Sequence, residues 1–153
     1  MPPPLSYPSE LLSEIVAHLV ACYPEEGCGL VARRGPEWRF LPISNAATRF
    51  HLADPESFPD DARTAYLFDP VEQRRAWEWA DEAGWEIAAI VHSHCDADAS
   101  FSARDRELAL LEPRRPLYPG VEYLVISIVA GRPDHARAHV WDGDDFEARA
   151  VDI

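Results

Sequence analysis

The sequence predicts a single domain, residues 1–153, of the α+β (mixed α/β) class, with a central mixed sheet of about six strands flanked by helices. Three observations support this prediction. The length of 153 residues is that of one domain. Short apolar segments of strand length alternate with segments of helical periodicity. Residues 87–91 are apolar without interruption, which is typical of a strand in the centre of a sheet.

The first part of the chain is predicted to form a helix followed by a hairpin. Residues 8–22 carry apolar side chains at helical spacing, with Pro8 in the first turn and Pro24 just past the end. Two short apolar runs, residues 28–32 and 38–43, flank a turn-forming Arg-Arg-Gly-Pro segment. The helix is expected to bury a stripe formed by Leu12, Ile15, Val16 and Leu19.

The middle of the chain is predicted to contain a loop, a strand and a helix. Residues 54–64 are rich in proline and aspartate and indicate a loop, and residues 66–68 are assigned to a short strand. Asp69 followed by Pro70 predicts a helix start, because a capping carboxylate precedes a proline suited to the first helical position. Gly84 predicts the end of this helix. Its apolar face is expected to include Trp77 and Ala80.

The second half of the chain is predicted to be mostly sheet. His92 is expected to end the buried strand, and a polar loop over residues 95–101 leads to a short helix at about 103–112. The last two strands would be joined by a tight turn rich in aspartate. Strands are expected at residues 123–130, 136–141 and 146–151.

Composition and cysteine usage indicate a globular protein of a reducing compartment. Apolar residues make up 47 % of the chain, and no run of them is long enough to cross a membrane. The start of the chain is rich in proline and lacks the features of a secretory signal peptide, so we expect a cytoplasmic location. Cys22, Cys28 and Cys95 contain no CxxC pair, and we expect free thiols rather than a disulfide framework.

The charge of the chain argues against nucleic acid as a partner. Basic residues number 14 and acidic residues 27, which gives a formal net charge of −13. A surface this acidic repels a phosphate backbone. We therefore expect no nucleic-acid partner and no membrane partner, and the sequence leaves the oligomeric state open.

The first candidate for a functional site is His92-Ser93-His94, directly after the buried apolar run. Side chains two residues apart on an extended chain point to the same side. Two imidazoles on one side at a strand end can share a metal ion, and a catalytic zinc site has three protein ligands and an open fourth position. Histidines at this spacing also occur by chance, so the pair is not sufficient evidence by itself.

Ser102 and Asp105 provide the second part of the candidate site. They lie three residues apart at the start of a predicted helix, so both side chains can face the metal. A serine followed three residues later by an acid is also the pattern of a helix cap. The two interpretations are compatible, because a capping serine can still present its hydroxyl group nearby.

A general base is the third requirement, because hydrolysis at zinc needs a carboxylate that takes a proton from the attacking water. Glu25 and Glu26 lie in a turn between the first predicted helix and the first predicted strand. Without the histidines, this pair would be interpreted as a solvated acidic turn.

Together these residues resemble the signature of the JAMM (MPN+) metalloproteases. The chain has His92-Ser93-His94, seven residues, Ser102, two residues and Asp105, which matches the spacing of that signature. Residues 24–30, Pro-Glu-Glu-Gly-Cys-Gly-Leu, resemble the segment that carries the family's catalytic glutamate, which corresponds to Glu26. The resemblance covers nearly the whole chain. It implies the cytidine-deaminase-like JAMM/MPN fold of the small prokaryotic members.

The resemblance implies a zinc ion held by His92, His94 and Asp105. It also implies that Glu26 takes a proton from the metal-activated water, and that the hydroxyl of Ser102 stabilises the oxyanion. Members of the family cleave amide bonds after the C-terminal Gly-Gly tail of ubiquitin-like proteins. For so short a chain, the expected substrate is a ubiquitin-like sulfur-carrier protein. Its tail is expected to dock as an added strand near residues 48–68.

Cys95 is the one departure from the family pattern, which has proline directly after the second histidine. Proline would fix the loop, whereas cysteine leaves it freer and adds a soft ligand beside the site. Asp96 and Asp98 are rival acidic ligands in the same loop. We interpret the cysteine as a tolerated change in the loop.

Other functions fit the sequence less well. A non-catalytic scaffold of the same fold, which binds ubiquitin-like partners, typically lacks metal ligands, whereas every signature position is present here. A RadC-like protein with a tie to DNA disagrees with the net charge of −13. A zinc deaminase needs a Pro-Cys-x-x-Cys segment, and a metal-dependent amidohydrolase needs a barrel of about 250 residues. The scaffold remains the principal alternative, and iron or manganese remain alternatives to zinc.

Overall fold

The computed structural model describes residues 2–153. Over these residues the chain forms four helices and eight strands. The helices are α1 (Ser9–Cys22), α2 (Ala47–Ala53), α3 (Pro70–Ala83) and α4 (Ala103–Ala109). The strands are β1 (Cys28–Arg34), β2 (Glu37–Ile43), β3 (Glu86–Cys95), β4 (Leu110–Glu112), β5 (Arg115–Pro116), β6 (Glu122–Val129), β7 (Arg132–Trp141) and β8 (Phe146–Val151).

Six of the strands form one mixed sheet in the order β2-β1-β3-β6-β7-β8. Neighbouring strands are antiparallel except β3 and β6, which are parallel. β3 therefore has a partner on each side, as its uninterrupted apolar sequence predicts. The short strands β4 and β5 pair separately. The predicted α+β class and the six-stranded mixed sheet are confirmed.

Helices cover both faces of the sheet and form two main cores. On one face, α1 packs Leu12, Ile15 and Leu19 against strand residues. The apolar stripe that predicts this helix is the stripe that it buries, and each side chain contributes roughly 1.5–3 kcal/mol when fully buried. The opposite face carries side chains of α3 and α4 over Ile90 and Tyr123. The candidate site lies on this second face.

Both ends of α3 follow from its predicted caps. Oδ1 of Asp69 accepts hydrogen bonds from the backbone N–H groups of Val71 and Glu72, at 3.0 Å each. Pro70 occupies the first helical position. Gly84 ends the helix with a φ of 74°, a left-handed conformation that a side chain disfavours. Local sequence alone therefore determines where this helix begins and ends.

The predicted end of the buried strand at His92 is wrong. β3 spans Glu86–Cys95 and contains both histidines of the candidate site. The reason is tertiary, because the parallel strand β6 continues to pair with it, with His92 opposite Val125 and His94 opposite Ser127. Periodicity reports an apolar run, but it does not report backbone pairing with a distant strand.

The predicted strand at residues 66–68 is also wrong, and the sequence does not predict α2. Phe68 makes only an isolated bridge with Asn45. The side chain of Asn45 takes the place of a partner strand: its Oδ1 accepts from the N–H of Leu67 at 3.0 Å, and its Nδ2 donates to the carbonyl of Ala65 at 2.9 Å. One side chain thus satisfies backbone groups that a strand would pair, so no ladder forms.

Smaller differences concern element boundaries. The predicted helix at 103–112 ends at Ala109, because Leu110 turns into β4 and pairs with β5. β7 begins at Arg132, ahead of the predicted start at residue 136, since its pairing with β6 continues through a register shift. The predicted hairpin of β1 and β2 and the strand β8 are confirmed.

Two further expectations can be compared with the described residues. The three cysteines are free, as the sequence predicts; they are Cys22, Cys28 and Cys95. Among residues 2–153, none of the helices is both long enough and apolar enough to span a bilayer.

Candidate active site

The two histidines of β3 point to the same side of the strand and are shielded from solvent. His92 is fully buried, and His94 is 8 % exposed. Their Nε2 atoms lie 3.2 Å apart. Ser93 points to the opposite side, where its hydroxyl accepts a hydrogen bond from the backbone N–H of Gly27 at 2.8 Å. The alternation of an extended strand brings the two imidazoles together, as predicted.

Asp105 reaches the same point from the first turn of α4. Its Oδ1 lies 3.2 Å from Nε2 of His92, and its Oδ2 lies 3.1 Å from Nε2 of His94. A capping box fixes the aspartate: its N–H donates to Oγ of Ser102 at 3.0 Å, and the N–H of Ser102 donates to its Oδ2 at 3.0 Å. The helix cap and the convergence on the histidines are therefore both present.

The three side chains fit a small divalent cation. Their nearest nitrogen and oxygen atoms lie 3.1–3.2 Å from one another. Ligands that bind tetrahedral zinc at about 2.0–2.1 Å are about 3.3 Å apart. Asp105 is 4 % exposed, so all three donors are withdrawn from water. Two imidazole nitrogens and a carboxylate at this spacing suit a metal ion with an open fourth position.

Glu26 forms a second, overlapping group of donors with the same histidines. One ligand atom from each of the three residues lies within 4.8 Å of the others. Glu26 is 5 % exposed. Its backbone is held on both sides: the N–H donates to the carbonyl of Ala62 at 2.7 Å, and the carbonyl accepts from Nδ2 of Asn45 at 2.8 Å. Asp105 lies 3.1–3.2 Å from the two histidines, so the site offers two carboxylates around the same pair of imidazoles.

Burial of these groups together shifts their pKa values. Burial raises the pKa of Glu26 to about 8, although nearby His94 opposes the shift. Burial also lowers the pKa of His92. Burial opposes the charge on His94, but hydrogen bonds to Asp105 and to the carbonyl of Asp98 outweigh it and raise the pKa of His94 to about 9. Despite burial, the two histidines lower the pKa of Asp105.

His94 is oriented by the loop that follows β3. Its Nδ1 lies 2.7 Å from the carbonyl oxygen of Asp98, so in the neutral ring this nitrogen donates and Nε2 keeps its lone pair toward the site. The next residue of the loop, Ala99, is held by β7. Its N–H donates to Nε2 of His135 at 3.1 Å, and its carbonyl oxygen lies 2.9 Å from Nε2 of His139. The orientation of His94 thus depends on two histidines far along the chain.

The same loop is fixed without the proline of the family pattern. Asp96 adopts a φ of 57°, a left-handed conformation that is uncommon outside glycine. Its carboxylate accepts hydrogen bonds from the hydroxyl of Tyr23 at 2.7 Å and from the N–H of Ala130 at 2.9 Å. The carboxylate of Asp98 accepts from a backbone N–H two residues on, at 3.1 Å. The contacts of both rival carboxylates therefore lie within the loop and its surroundings, outside the donor set.

Cys95 lies on the side of β3 opposite to the histidines, by the alternation of the strand. It is half-buried, and burial raises the pKa of its thiol to about 11. A protonated thiol on the far side of the strand is not part of the donor set. The structure therefore agrees with the interpretation of Cys95 as a tolerated change.

Ser102 has a structural role that is visible directly, as the cap of α4. The cap uses a lone pair of its Oγ, and the hydroxyl hydrogen remains available to donate. The side chain is exposed, unlike the four buried groups of the site. Its role at the oxyanion stays a prediction.

Sequence reasoning missed four residues that organise this site, namely Asn45, Tyr66, His135 and His139. Asn45 holds the backbone of Glu26. Tyr66 stacks its ring on that of His92, with centroids 4.2 Å apart. No spacing rule links these positions to the motif, because each acts through a tertiary contact. Only His139 carries a local signal, since a histidine inside an apolar strand must find a polar partner.

Comparison with known proteins connects this arrangement to a family. Residues 8–142 match the model of the family described as prokaryotic homologs of the JAB domain. The chain is 33 % identical over 134 residues to the desampylase of Haloferax volcanii, covering 85 % of this chain and 79 % of that protein. It is 36 % identical over 101 residues to a probable TtuB-protein conjugate cleaving protease of Thermus thermophilus, covering 66 % of this chain and 60 % of that protein. It is 28 % identical over 124 residues to the CysO-cysteine peptidase of Mycobacterium tuberculosis, covering 78 % and 70 %.

Two solved structures are similar to this fold. The solution structure of a protein from Desulfitobacterium hafniense has a TM-score of 0.62 and 27 % identity, covering 91 % of this chain and 86 % of that chain. The solution structure of a protein from Salinibacter ruber has a TM-score of 0.57 and 25 % identity, covering 95 % and 88 %. The family match spans the elements that carry the buried glutamate and both histidines. The chain therefore belongs to the family of prokaryotic JAB-domain proteins, and it is a hydrolase of the JAMM type.

Proposed function

We propose that this protein is a zinc-dependent peptidase that hydrolyses the amide bond after the C-terminal Gly-Gly tail of a ubiquitin-like sulfur-carrier protein. One observation carries the proposal. Donor atoms of His92, His94 and Asp105 lie within 3.1–3.2 Å of one another in a buried site. Glu26 lies within 4.8 Å of both histidines. Burying several ionisable side chains together costs stability, and such clusters are concentrated at functional sites.

His92 and His94, through Nε2, and the carboxylate of Asp105 would hold the zinc ion. The bound ion would supply Lewis acidity and an activated water. The donor set of two imidazoles and one carboxylate suits zinc, with iron and manganese as competitors. The capping box of α4 holds the carboxylate against the two rings before any metal binds.

Glu26 serves as the general base and then as the general acid. Burial raises the pKa of Glu26 to about 8 in the metal-free chain. A bound cation would lower that pKa, so the carboxylate would be ionised and able to accept a proton. The bonds to its backbone hold the residue in place and leave the carboxylate free for this exchange. Glu26 takes a proton from the attacking water and delivers it to the amine that leaves, so it is regenerated in each turnover.

Ser102 is proposed to stabilise the oxyanion that forms on the attacked carbonyl. Its Oγ accepts the cap bond from the N–H of Asp105, which orients the side chain. Its hydroxyl hydrogen can then donate to the developing negative charge. This role is carried over from the family resemblance.

The relatives support the class of substrate. Their names describe a desampylase, a protease of TtuB-protein conjugates and a CysO-cysteine peptidase. We infer that residues 1–153 act as one domain on a substrate of the same kind. We propose that the carrier tail docks as an added strand near residues 48–68, after the helix α2 at Ala47–Ala53. The free thiols agree with the cytoplasmic location that we propose.

Cleavage of a carrier fusion tests this function. A ubiquitin-like carrier that ends in Gly-Gly is extended by a short peptide and incubated with the zinc-loaded protein, and mass spectrometry identifies the products. We expect release of the peptide at the Gly-Gly bond, and no release after treatment with a chelator. Binding of the intact fusion without cleavage would support the non-catalytic scaffold instead.

Glu26→Gln separates proton transfer from metal binding. The amide has nearly the same size but cannot take a proton, so kcat should fall by about 10²–10⁴-fold. Elemental analysis should still find about one zinc ion per chain, because three ligands remain. Loss of zinc in Glu26→Gln would make Glu26 a ligand and remove it from the role of general base.

A further inference from the structure

The second ring nitrogens of the two histidines have different surroundings. Nδ1 of His94 faces the carbonyl oxygen of Asp98 at 2.7 Å. Nδ1 of His92 is buried and has no hydrogen-bond partner among residues 2–153. A ligand imidazole is usually oriented by a hydrogen bond at its second nitrogen. Another contact must therefore orient the ring of His92.

That contact is an aromatic stack. The ring of Tyr66 lies on the ring of His92, with centroids 4.2 Å apart and planes inclined by 21°. Tyr66 is 6 % exposed and His92 is 0 % exposed, so water does not separate or loosen the pair. Two ring faces in contact at this distance restrict the tilting of the imidazole. The stack restrains the rotation that a hydrogen bond at Nδ1 would otherwise restrain.

Tyr66 is itself held by contacts that do not involve the histidine. Its ring meets that of Phe68 edge to face, with centroids 5.6 Å apart. Its backbone is pinned on both sides by Asn45, which binds the carbonyl of Ala65 at 2.9 Å and the N–H of Leu67 at 3.0 Å. The same asparagine holds the backbone of the proposed general base. The tyrosine is thus a fixed surface against which the imidazole rests.

We propose that Tyr66 is a positioning residue whose ring holds the His92 imidazole in the orientation that metal binding requires. The proposal rests on the metal ligation proposed above and assigns a role to a residue outside the motif. The contact is made by the ring face, so phenylalanine at position 66 should preserve the orientation of His92, whereas an aliphatic side chain should not.

The first test uses the metal-free protein and needs no activity. Protons held over the face of an aromatic ring resonate upfield because of the ring current. The carbon-bound ring protons of His92 should therefore resonate upfield in the wild type and in Tyr66→Phe, and move downfield in Tyr66→Leu. Identical His92 shifts in the wild type and in folded Tyr66→Leu would overturn the proposal.

The second test measures metal binding. Competition with a chelator gives the zinc affinity, and the visible spectrum of the cobalt-loaded protein reports the geometry of the ligands. Tyr66→Leu should weaken zinc binding by about 10–100-fold, as loss of a group that orients a ligand does. It should also change the cobalt spectrum. Tyr66→Phe should keep the wild-type spectrum and an affinity within about threefold of the wild type.

Tyr118→Leu is the matched control. Tyr118 lines the same cavity of about 200 Å³ as Tyr66. It stacks on Trp77, with centroids 5.0 Å apart, and not on a histidine. Its replacement should lower the melting temperature without changing zinc affinity. Equal weakening of zinc binding in Tyr118→Leu and Tyr66→Leu would overturn the proposal, because general loosening would explain both.

A second variant keeps the test decisive if Tyr66→Leu does not fold. Tyr66→Met replaces the flat ring with a flexible, unbranched side chain that can adapt to the space. Unchanged zinc affinity and cobalt spectrum in this variant would overturn the proposal. Failure of the proposed function looks different: the wild type would bind zinc and respond to loss of the Tyr66 ring, yet cleave no carrier fusion. A wild type that binds no metal would overturn both.

Discussion

His92 and His94 lie two residues apart on one strand, yet the molecule holds them by different means. His94 is oriented by a hydrogen bond to a loop carbonyl, and two histidines of β7 hold that loop. His92 is more deeply buried, lacks such a bond and rests on the ring of Tyr66. β3 therefore determines only the direction of the two side chains. The orientation of each ring depends on a separate part of the fold.

Removing the imidazole of His92 or of His94 should have the largest effect, because each variant loses a proposed metal ligand. His92→Ala and His94→Ala each leave two of three ligands, so zinc affinity should fall by more than about 100-fold. His92→Ala also leaves a cavity under Tyr66, so its metal-free form should melt at a lower temperature than that of His94→Ala. Elemental analysis and thermal unfolding measure these two effects. Wild-type zinc content in either variant would remove that histidine from the ligand set.

The metal-free protein should lose stability as the pH rises. The pKa of His94 is raised from 6.5 to about 9, so its contribution is complete below pH 6.5 and is lost as the pH rises through 9. Glu26, with a pKa raised from 4.5 to about 8, acts in the same direction, because its contribution is complete below pH 4.5 and is lost as the pH rises through 8. The free energy of unfolding should fall by more than about 1 kcal/mol, since one pKa unit corresponds to about 1.4 kcal/mol.

Zinc should suppress this dependence, because the ion takes the place of the protons in the site. Its affinity should therefore increase as the pH rises from about 6 to 9. Denaturant unfolding of the metal-free and zinc-loaded proteins measures both effects, with Glu26→Gln and His94→Ala as controls for the two groups. A profile that is flat in the metal-free protein would contradict the raised pKa values.

Loosening the loop behind His94 should have an intermediate effect that is confined to that histidine. His139→Leu removes the contact with the carbonyl of Ala99 and leaves that carbonyl buried without a partner. Zinc affinity should fall by about 10-fold, while the ring protons of His92 stay at their wild-type positions. His139→Gln keeps an N–H donor for the carbonyl of Ala99, so its zinc affinity should fall less than that of His139→Leu. A shift of the His92 signals as large as that of the His94 signals would show that the two histidines are not held independently.

Cys95→Pro should have the smallest effect. The loop is already fixed by the contacts of Asp96 with Tyr23 and Ala130, so the ring of proline adds little. Zinc affinity should change by less than about twofold, and the melting temperature by only a few degrees. Asp96→Ala should lower zinc affinity more in the wild type, which has Cys95, than in Cys95→Pro. A double-mutant cycle measures this difference. Equal damage in both backgrounds would mean that Asp96 does not substitute for the proline.

The motif residues could be predicted because each depends on geometry over a few positions. Residues two apart on a strand share a side, which brought His92 and His94 together. A serine and an acid three residues apart form a cap, which turned Asp105 toward them. The strand assigned to residues 66–68 failed for the opposite reason, because the side chain of Asn45 pairs with that backbone.

The choice of Glu26 came from the resemblance of residues 24–30 to the JAMM segment, whereas the α+β class, the six-stranded sheet and the shared direction of His92, His94 and Asp105 could be predicted from local sequence. Apolar periodicity and fixed local spacings are sufficient for these features. The end of β3, the position of Glu26 beside the histidines and the contact that orients each ring depend on tertiary contacts. Those features depend on pairing, hydrogen bonds and stacking between residues such as Tyr66 and His92, whose separation along the chain follows no rule.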